Sequence, residues 1–196
     1  MHSVRTGVQF ALWFGFWAYW LIAARGTKSV VRHEPVLSRI LHIAPLVLAL
    51  WLLAAPRQPW AWLNREVVPW TPAQFRLGTL MLALGLGFAV MARRQLGGNW
   101  SGTVTLKRDH ELIRSGPYRW TRHPIYTGLL LAFAGSAVAR GEWRGVVAVA
   151  LVAVAFARKL RVEERFMAAQ FPGAYERYRA EVPALVPWPR LPRGRK

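Results

Sequence analysis

Apolar residues along this chain gather into five runs, 8–24, 40–55, 73–92, 125–139 and 143–157, separated by stretches rich in Arg, Lys, Gly and Pro. The first three approach the roughly 20 residues a helix needs to cross a bilayer. The last two hold 15 residues each, about 22 Å of helix against a hydrocarbon core about 30 Å thick. Only Arg140-Gly141-Glu142 lies between them, which predicts a tight helical hairpin whose arms run on into polar flanks, with a re-entrant pair as the alternative. Past the fifth run the helical pattern continues through Glu163 and Glu164 until Pro172-Gly173 stops it. Adjacent carboxylates on a helix point about 100° apart, so at most one of the two faces a buried pocket squarely while the other flanks it. The fourth helix carries its own start signal, with Thr121 or His123 to cap and Pro124 for the first helical position.

With 54% hydrophobic residues and 11 Trp in 196 positions, the chain is more apolar than a soluble core of this size requires and reads as an all-α integral membrane protein of about five transmembrane helices. Its 27 Lys+Arg against 9 Asp+Glu would alone suggest a nucleic-acid binder. Their placement between apolar runs, and not along one polar face, argues against that partner. Five spans with the N-terminus outside put 21 of these cations on inner segments and 6 on outer ones. The positive-inside rule therefore predicts a cytoplasmic loop over 93–123 and a cytoplasmic C-terminus, in a cell or inner membrane. Arg25, Lys28 and Arg32 follow the first run while only Arg5 precedes it, so that run is expected to stay as a span and not to be cleaved as a signal. Trp51, Trp60, Trp62, Trp70 and Trp143 are placed to form an outer aromatic belt. Three regions follow: a three-span part over 1–92, a part over 93–187 made of the long loop, the hairpin and the extended last helix, and a basic tail over 188–196.

The chemistry concentrates in GPYRWTRHPIYTGLLL, residues 116–131. A passive connector needs only turn residues, yet this stretch sets arginines, a histidine and two tyrosines at a helix start, where an anionic group is favoured. On that start Arg122 and His123 lie at the mouth, Tyr126 one turn in, and Gly128 leaves room for a close neighbour. The chain has no Cys and its five His lack ligand spacing, so no metal is expected. Gly85-Leu86-Gly87 in the third run and His42 in the second read as packing residues.

HELIRSGPYRWTRHPIYTG (110–128), then EERF (163–166), then FPGAYERYRAEVPALVP (171–187) resemble the isoprenylcysteine carboxyl methyltransferase family of integral membrane enzymes, which are related to phospholipid methyltransferases. The resemblance covers nearly half of the chain, while the first 90 residues match in hydropathy alone. It implies S-adenosylmethionine bound on the cytosolic side, in a pocket formed by the loop and the C-terminal helix. Carried over, the cofactor-binding residues are His110, Leu112, Tyr118, Arg122, His123, Tyr126, Gly128, Glu163 and Glu164, and the catalytic ones Arg122, His123 and Glu163. Arg122 would meet the methionine carboxylate, the glutamates the ammonium and the ribose diol, and tyrosine faces the adenine or the sulfonium. The acceptor it implies is lipophilic and reaches the site from membrane lipid, with Trp100, Trp120 and Phe133 as residues suited to line a lateral opening. Carboxyl O-methylation of an isoprenylcysteine-like substrate is the leading reading. The alternatives are a phospholipid N-methyltransferase and an NADPH-dependent sterol-type reductase of similar fold.

Overall fold

A computed structural model describes residues 2–25, 30–32, 36–100, 106–107 and 111–186. Each of the five apolar runs lies in a helix: α1 (His2–Ala24), α2 (Val36–Ala54), α3 (Pro72–Leu96), α4 (Pro124–Arg140) and α5 (Trp143–Gln170). A short α6 (Ala174–Glu181) follows the Phe171-Pro172-Gly173 break. The first three contain stretches long and apolar enough to cross a membrane. The described residues add one feature to the all-helical expectation, an antiparallel two-stranded ladder of β1 (Val30–Arg32) with β2 (Leu106–Lys107). It joins the α1–α2 connection to the α3–α4 loop, so both connections lie at one end of the bundle.

α3 and α4 pack backbone to backbone, antiparallel, through glycines. A Cβ added at Gly85 would stand 2.5 Å from the Gly128 carbonyl oxygen, and one added at Gly135 would stand 2.4 Å from the Leu82 nitrogen. At the far end Gly78 meets Ala139 in the same way, and the Gln74 side chain donates to the Val138 carbonyl at 2.7 Å. Small residues permit this approach and let dispersion attraction hold the pair where lipid offers no hydrophobic gain. α4, with 17 residues, therefore lies along α3 from Gln74 to Ala89.

The apolar half of α5 runs along α2 in the opposite direction. Arg158 reaches Ser38 near the start of α2, Val152 and Ala148 pack with Ala49, Leu52 and Leu53, and Arg144 reaches the Ala55 carbonyl at 2.6 Å. The α5 arm thus covers the depth of α2, a candidate span, which favours a full span over a re-entrant segment for that arm. The turn between them is closed by Gly141 in the left-handed region (φ 70°). Arg140 and Arg144 from this turn donate to Leu53 and Ala55, capping carbonyls that the end of α2 would leave unpaired. At the opposite end Arg93 ties α1 to α3 by donating to the carbonyls of Ala23 (2.5 Å) and Gly97 (2.8 Å). The last turns of α5, from Arg161 to Gln170, extend beyond α2 and carry both glutamates.

Candidate active site

The site is assembled where α4 begins. Pro124 occupies the first helical position as expected, but neither Thr121 nor His123 caps with its side chain. The chain after α6 does that work instead: Arg122 and His123 donate their backbone N–H groups to the carbonyls of Pro183 (2.9 Å) and Ala184 (3.0 Å). Thr121 and Thr127 add hydroxyl bonds to Ala184 (2.5 Å) and Leu185 (2.6 Å). Residues 183–185 are thereby strapped across the mouth of α4, which the linear sequence gave no reason to expect.

Arg122, His123 and Tyr126 meet the two glutamates of α5 there. Arg122 donates to Glu164 through Nε (2.9 Å) and Nη2 (2.5 Å), and through Nη1 to the carbonyls of Arg179 (3.1 Å) and Val182. Tyr126 donates its hydroxyl to Glu163 at 2.5 Å. His123 sits between the carboxylates, with Nδ1 3.5 Å from Glu163 and Nε2 3.4 Å from Glu164. Its ring is stacked on Tyr126 (5.6 Å between centroids), and Tyr126 is stacked on Phe156 (4.7 Å). The stack packs both polar rings against the apolar face of Phe156.

Burial opposes charge on His123, Glu163 and Glu164, and the partners overrule it. Hydrogen bonds with Glu163 and Glu164 hold the His123 imidazole above its ordinary pKa despite burial. Glu163 is likewise buried but is held below the usual carboxylate range by His123, Lys159 and Tyr126. Burial would raise Glu164, yet bonds from His123 and Arg122 bring it down to about 2. Burial pushes the Tyr178 hydroxyl up to about 12, so it stays a donor, bonded to the Tyr118 carbonyl at 2.6 Å.

Beside the cluster opens a cavity of about 530 Å³. Its polar mouth includes Arg122, His123, Glu163, Tyr175 and Tyr178, and its body passes between α1, α2, α4 and α5 to Trp13, Leu46, Leu50, Phe133 and Phe156. Leu112, Tyr118 and Tyr126 also line it, as does Trp100, whereas the half-exposed Trp120 stacks on Phe88 instead. Of the two adjacent glutamates Glu163 faces the cavity, and Glu164 turns aside to Arg122. Gly128 packs on Gly85 and Ala89 of α3, away from the cavity. His110 falls outside the described residues. Sequence reasoning missed the α1 wall, His42 and Lys159: these two are buried (3% and 8% exposed), 3.4 Å apart, and line the cavity. The available signal was a lysine four residues before Glu163, one turn along the same helix face.

Residues 73–174 match the family model for phospholipid methyltransferase. The chain belongs to this family. The matched region runs from the start of α3 to the start of α6 and so contains the glycine seam, the mouth of α4 and both glutamates. A protein-S-isoprenylcysteine O-methyltransferase of Schizosaccharomyces pombe is 32% identical over 109 residues, covering 54% of this chain and 46% of that protein. A methanethiol S-methyltransferase of Mycobacterium tuberculosis is 30% identical over 146 residues, 66% of this chain and 57% of that protein. The chain thus spans about half the length of such relatives. A solved eukaryotic intramembrane Ras methyltransferase, isoprenylcysteine carboxyl methyltransferase, matches 81% of this chain and 55% of its own, with TM-score 0.55 and 20% identity, which establishes the likeness of fold. The resemblance carried by 110–187 is borne out, and the fold likeness extends to helices where sequence alone showed only hydropathy.

Proposed function

We propose that this protein is an S-adenosylmethionine-dependent methyltransferase acting on a lipophilic acceptor, by carboxyl O-methylation of an isoprenylcysteine-like substrate. The observation that carries the reading is one cavity with an ionic mouth and an apolar, aromatic body. A polar donor suits the first and a prenyl chain the second. The relatives' names support methyl transfer.

The residues at the mouth suit S-adenosylmethionine. Glu163 offers a carboxylate for its ammonium or ribose diol, Tyr118, Tyr126 and Tyr175 offer aromatic surface for the adenine and sulfonium, and Lys159 offers a cation for its carboxylate. Arg122, assigned to that carboxylate from sequence, gives its donors to Glu164, Arg179 and Val182, so it positions the site from behind. Bound there, S-adenosylmethionine supplies a methyl group on a positively charged sulfur, already a good leaving group. What the protein contributes is alignment and exclusion of water: the Tyr126–Glu163 bond and the His123–Tyr126–Phe156 stack hold the mouth in one geometry.

Protonation favours a carboxylate acceptor. An amine must lose a proton to become nucleophilic and needs a base with a pKa near the working pH. Glu163 and Glu164 are held too low, which leaves His123 as the base of the cluster, and both of its ring nitrogens are engaged by the two carboxylates. A carboxylate is already ionised and needs none. We assign residues 93–187 as the catalytic region, with the mouth and the C-terminus in the cytoplasm and the N-terminus outside, on the 21 to 6 division of cations.

Labelled S-adenosylmethionine, supplied with prenylcysteine analogues or with ethanolamine phospholipids, tests the reaction. Label that mild base releases as volatile methanol is the expected result. Base-stable label on phospholipid would overturn it in favour of N-methylation. Calorimetric binding of NADPH without S-adenosylhomocysteine would overturn both in favour of a reductase.

A further inference from the structure

Towards the opposite end of the bundle, a second cavity of about 320 Å³ extends to Gln9, Phe14, Trp70, Arg140 and Glu142. The two cavities share three wall residues, Trp13, Trp17 and Leu50. Three helices place the division at the same level. α1 gives Trp20 to the large cavity and Gln9 to the small one, with Trp13 and Trp17 in both. α2 gives His42 to the large cavity and Ala54 to the small one, with Leu50 in both. α4 gives Phe133 to the large cavity and Ser136, nearly one turn on, to the small one.

Trp13 stands at that step. Its indole Nε1 donates to Ser136 Oγ at 3.1 Å, and its ring lies 5.0 Å from that of Phe133. Ser136 is itself buried and bonded to the Ala132 carbonyl at 3.0 Å. A large ring tethered by its one polar atom is fixed in rotation as well as in place. We infer that Trp13 is a partition that limits how long a hydrocarbon tail the acceptor can carry, and that the small cavity is the reserve it closes off. The inference rests on the methyltransferase reading for the identity of the occupant, a carboxylate-ended prenyl chain. Continuous with the large cavity through Trp13, Trp17 and Leu50, the small one forms the floor of the slot. From His42, near the ionic mouth, to Leu50 is about 12 Å along α2, and to Ala54 about 18 Å, so removing the indole lengthens the slot by about half.

The experiment is calorimetric titration of the purified full chain with prenyl thioether acids of one to four isoprene units, which needs no methyl transfer. For the wild type, affinity should rise with length and then level off. In Trp13→Ala it should go on rising, so that the ratio of longest- to shortest-chain affinity grows by about tenfold or more, the scale of hydrophobic-pocket discrimination. Trp13→Phe, which keeps a ring, should still level off. Titration with S-adenosylhomocysteine reports whether each variant is folded; if Trp13→Ala is not, Leu50→Ala opens the facing wall and should shift the profile the same way. Identical length profiles in wild type and opened variants overturn the partition, as does failure of the wild type to bind any acid. The expected profile with no methylation of the bound acids would sink the proposed reaction and leave the partition standing.

Discussion

Glu163 and Glu164 are neighbours in sequence with different neighbours in space, and their substitutions should separate accordingly. Glu163 faces the cavity, so Glu163→Gln should weaken S-adenosylhomocysteine binding by roughly 10- to 150-fold, the loss of a charged hydrogen bond of about 1.5–3 kcal/mol, with thermal stability retained. Glu164 holds the buried Arg122 side chain, and Glu164→Gln should cost about 3 kcal/mol of stability by stranding that charge. Calorimetry and thermal unfolding measured together decide it; the reverse pattern would exchange the roles. The same cluster sets a pH dependence. Ionised Glu164, with its pKa moved from 4.5 to about 2, contributes stability that is present above about pH 4.5 and lost as pH falls through about 2. His123, raised from 6.5, contributes stability present below about pH 6.5 and lost as pH rises through its folded pKa. Unfolding temperature in detergent should therefore decline on the alkaline side, and His123→Gln should remove that decline; an unchanged alkaline slope in the variant would place its origin elsewhere.

At the scale of elements, the seam between α3 and α4 positions the site, because His123 and Tyr126 are carried on α4. Two glycines in α3 provide a matched test. Gly85 has the Gly128 carbonyl oxygen 2.5 Å from where its Cβ would be, whereas Gly87 has nothing within 4 Å. Gly85→Leu should force the helices apart and cost about 1–3 kcal/mol or more, seen as a lowered unfolding temperature and lost cofactor binding, while Gly87→Leu should be tolerated on the lipid-facing side. Equal effects would mean that the seam is not where the strain falls. The sequence pointed to packing for Gly85-Leu86-Gly87. It did not separate the two glycines, because helical periodicity defines a face only once the neighbour is known.

For the molecule as a whole, the ladder between β1 and β2 and the Arg93 tie collect the α1–α2 and α3–α4 connections at the end that carries the site, and four of the five tryptophans expected in an outer belt, Trp51, Trp60, Trp62 and Trp143, are exposed in the segments at the other end. The proposal drawn from charge puts the site end inside. Because the chain has no Cys, single cysteines report sidedness without background. Lys107→Cys should be protected from an impermeant reagent in intact cells and Trp62→Cys labelled by it; external labelling of Lys107→Cys would invert the topology.

Hydropathy alone determined the five helices, since an apolar run in a membrane must satisfy its backbone internally and helix is the only local way to do so. Local chemistry likewise fixed the helix start at Pro124 and brought forward Arg122, His123, Tyr126 and the glutamate pair. Partnership was decided by the tertiary structure. Which glutamate turns to the cavity depends on the rotation of α5 against α4, and the employment of Arg122 depends on where residues 179–184 return. The cavity itself needs α1 and α2 as walls, and their side chains are ordinary membrane residues in sequence. Trp13 reads there as one apolar residue among many, and acquires a role only because Ser136, 123 positions later, holds its indole at the step between two cavities.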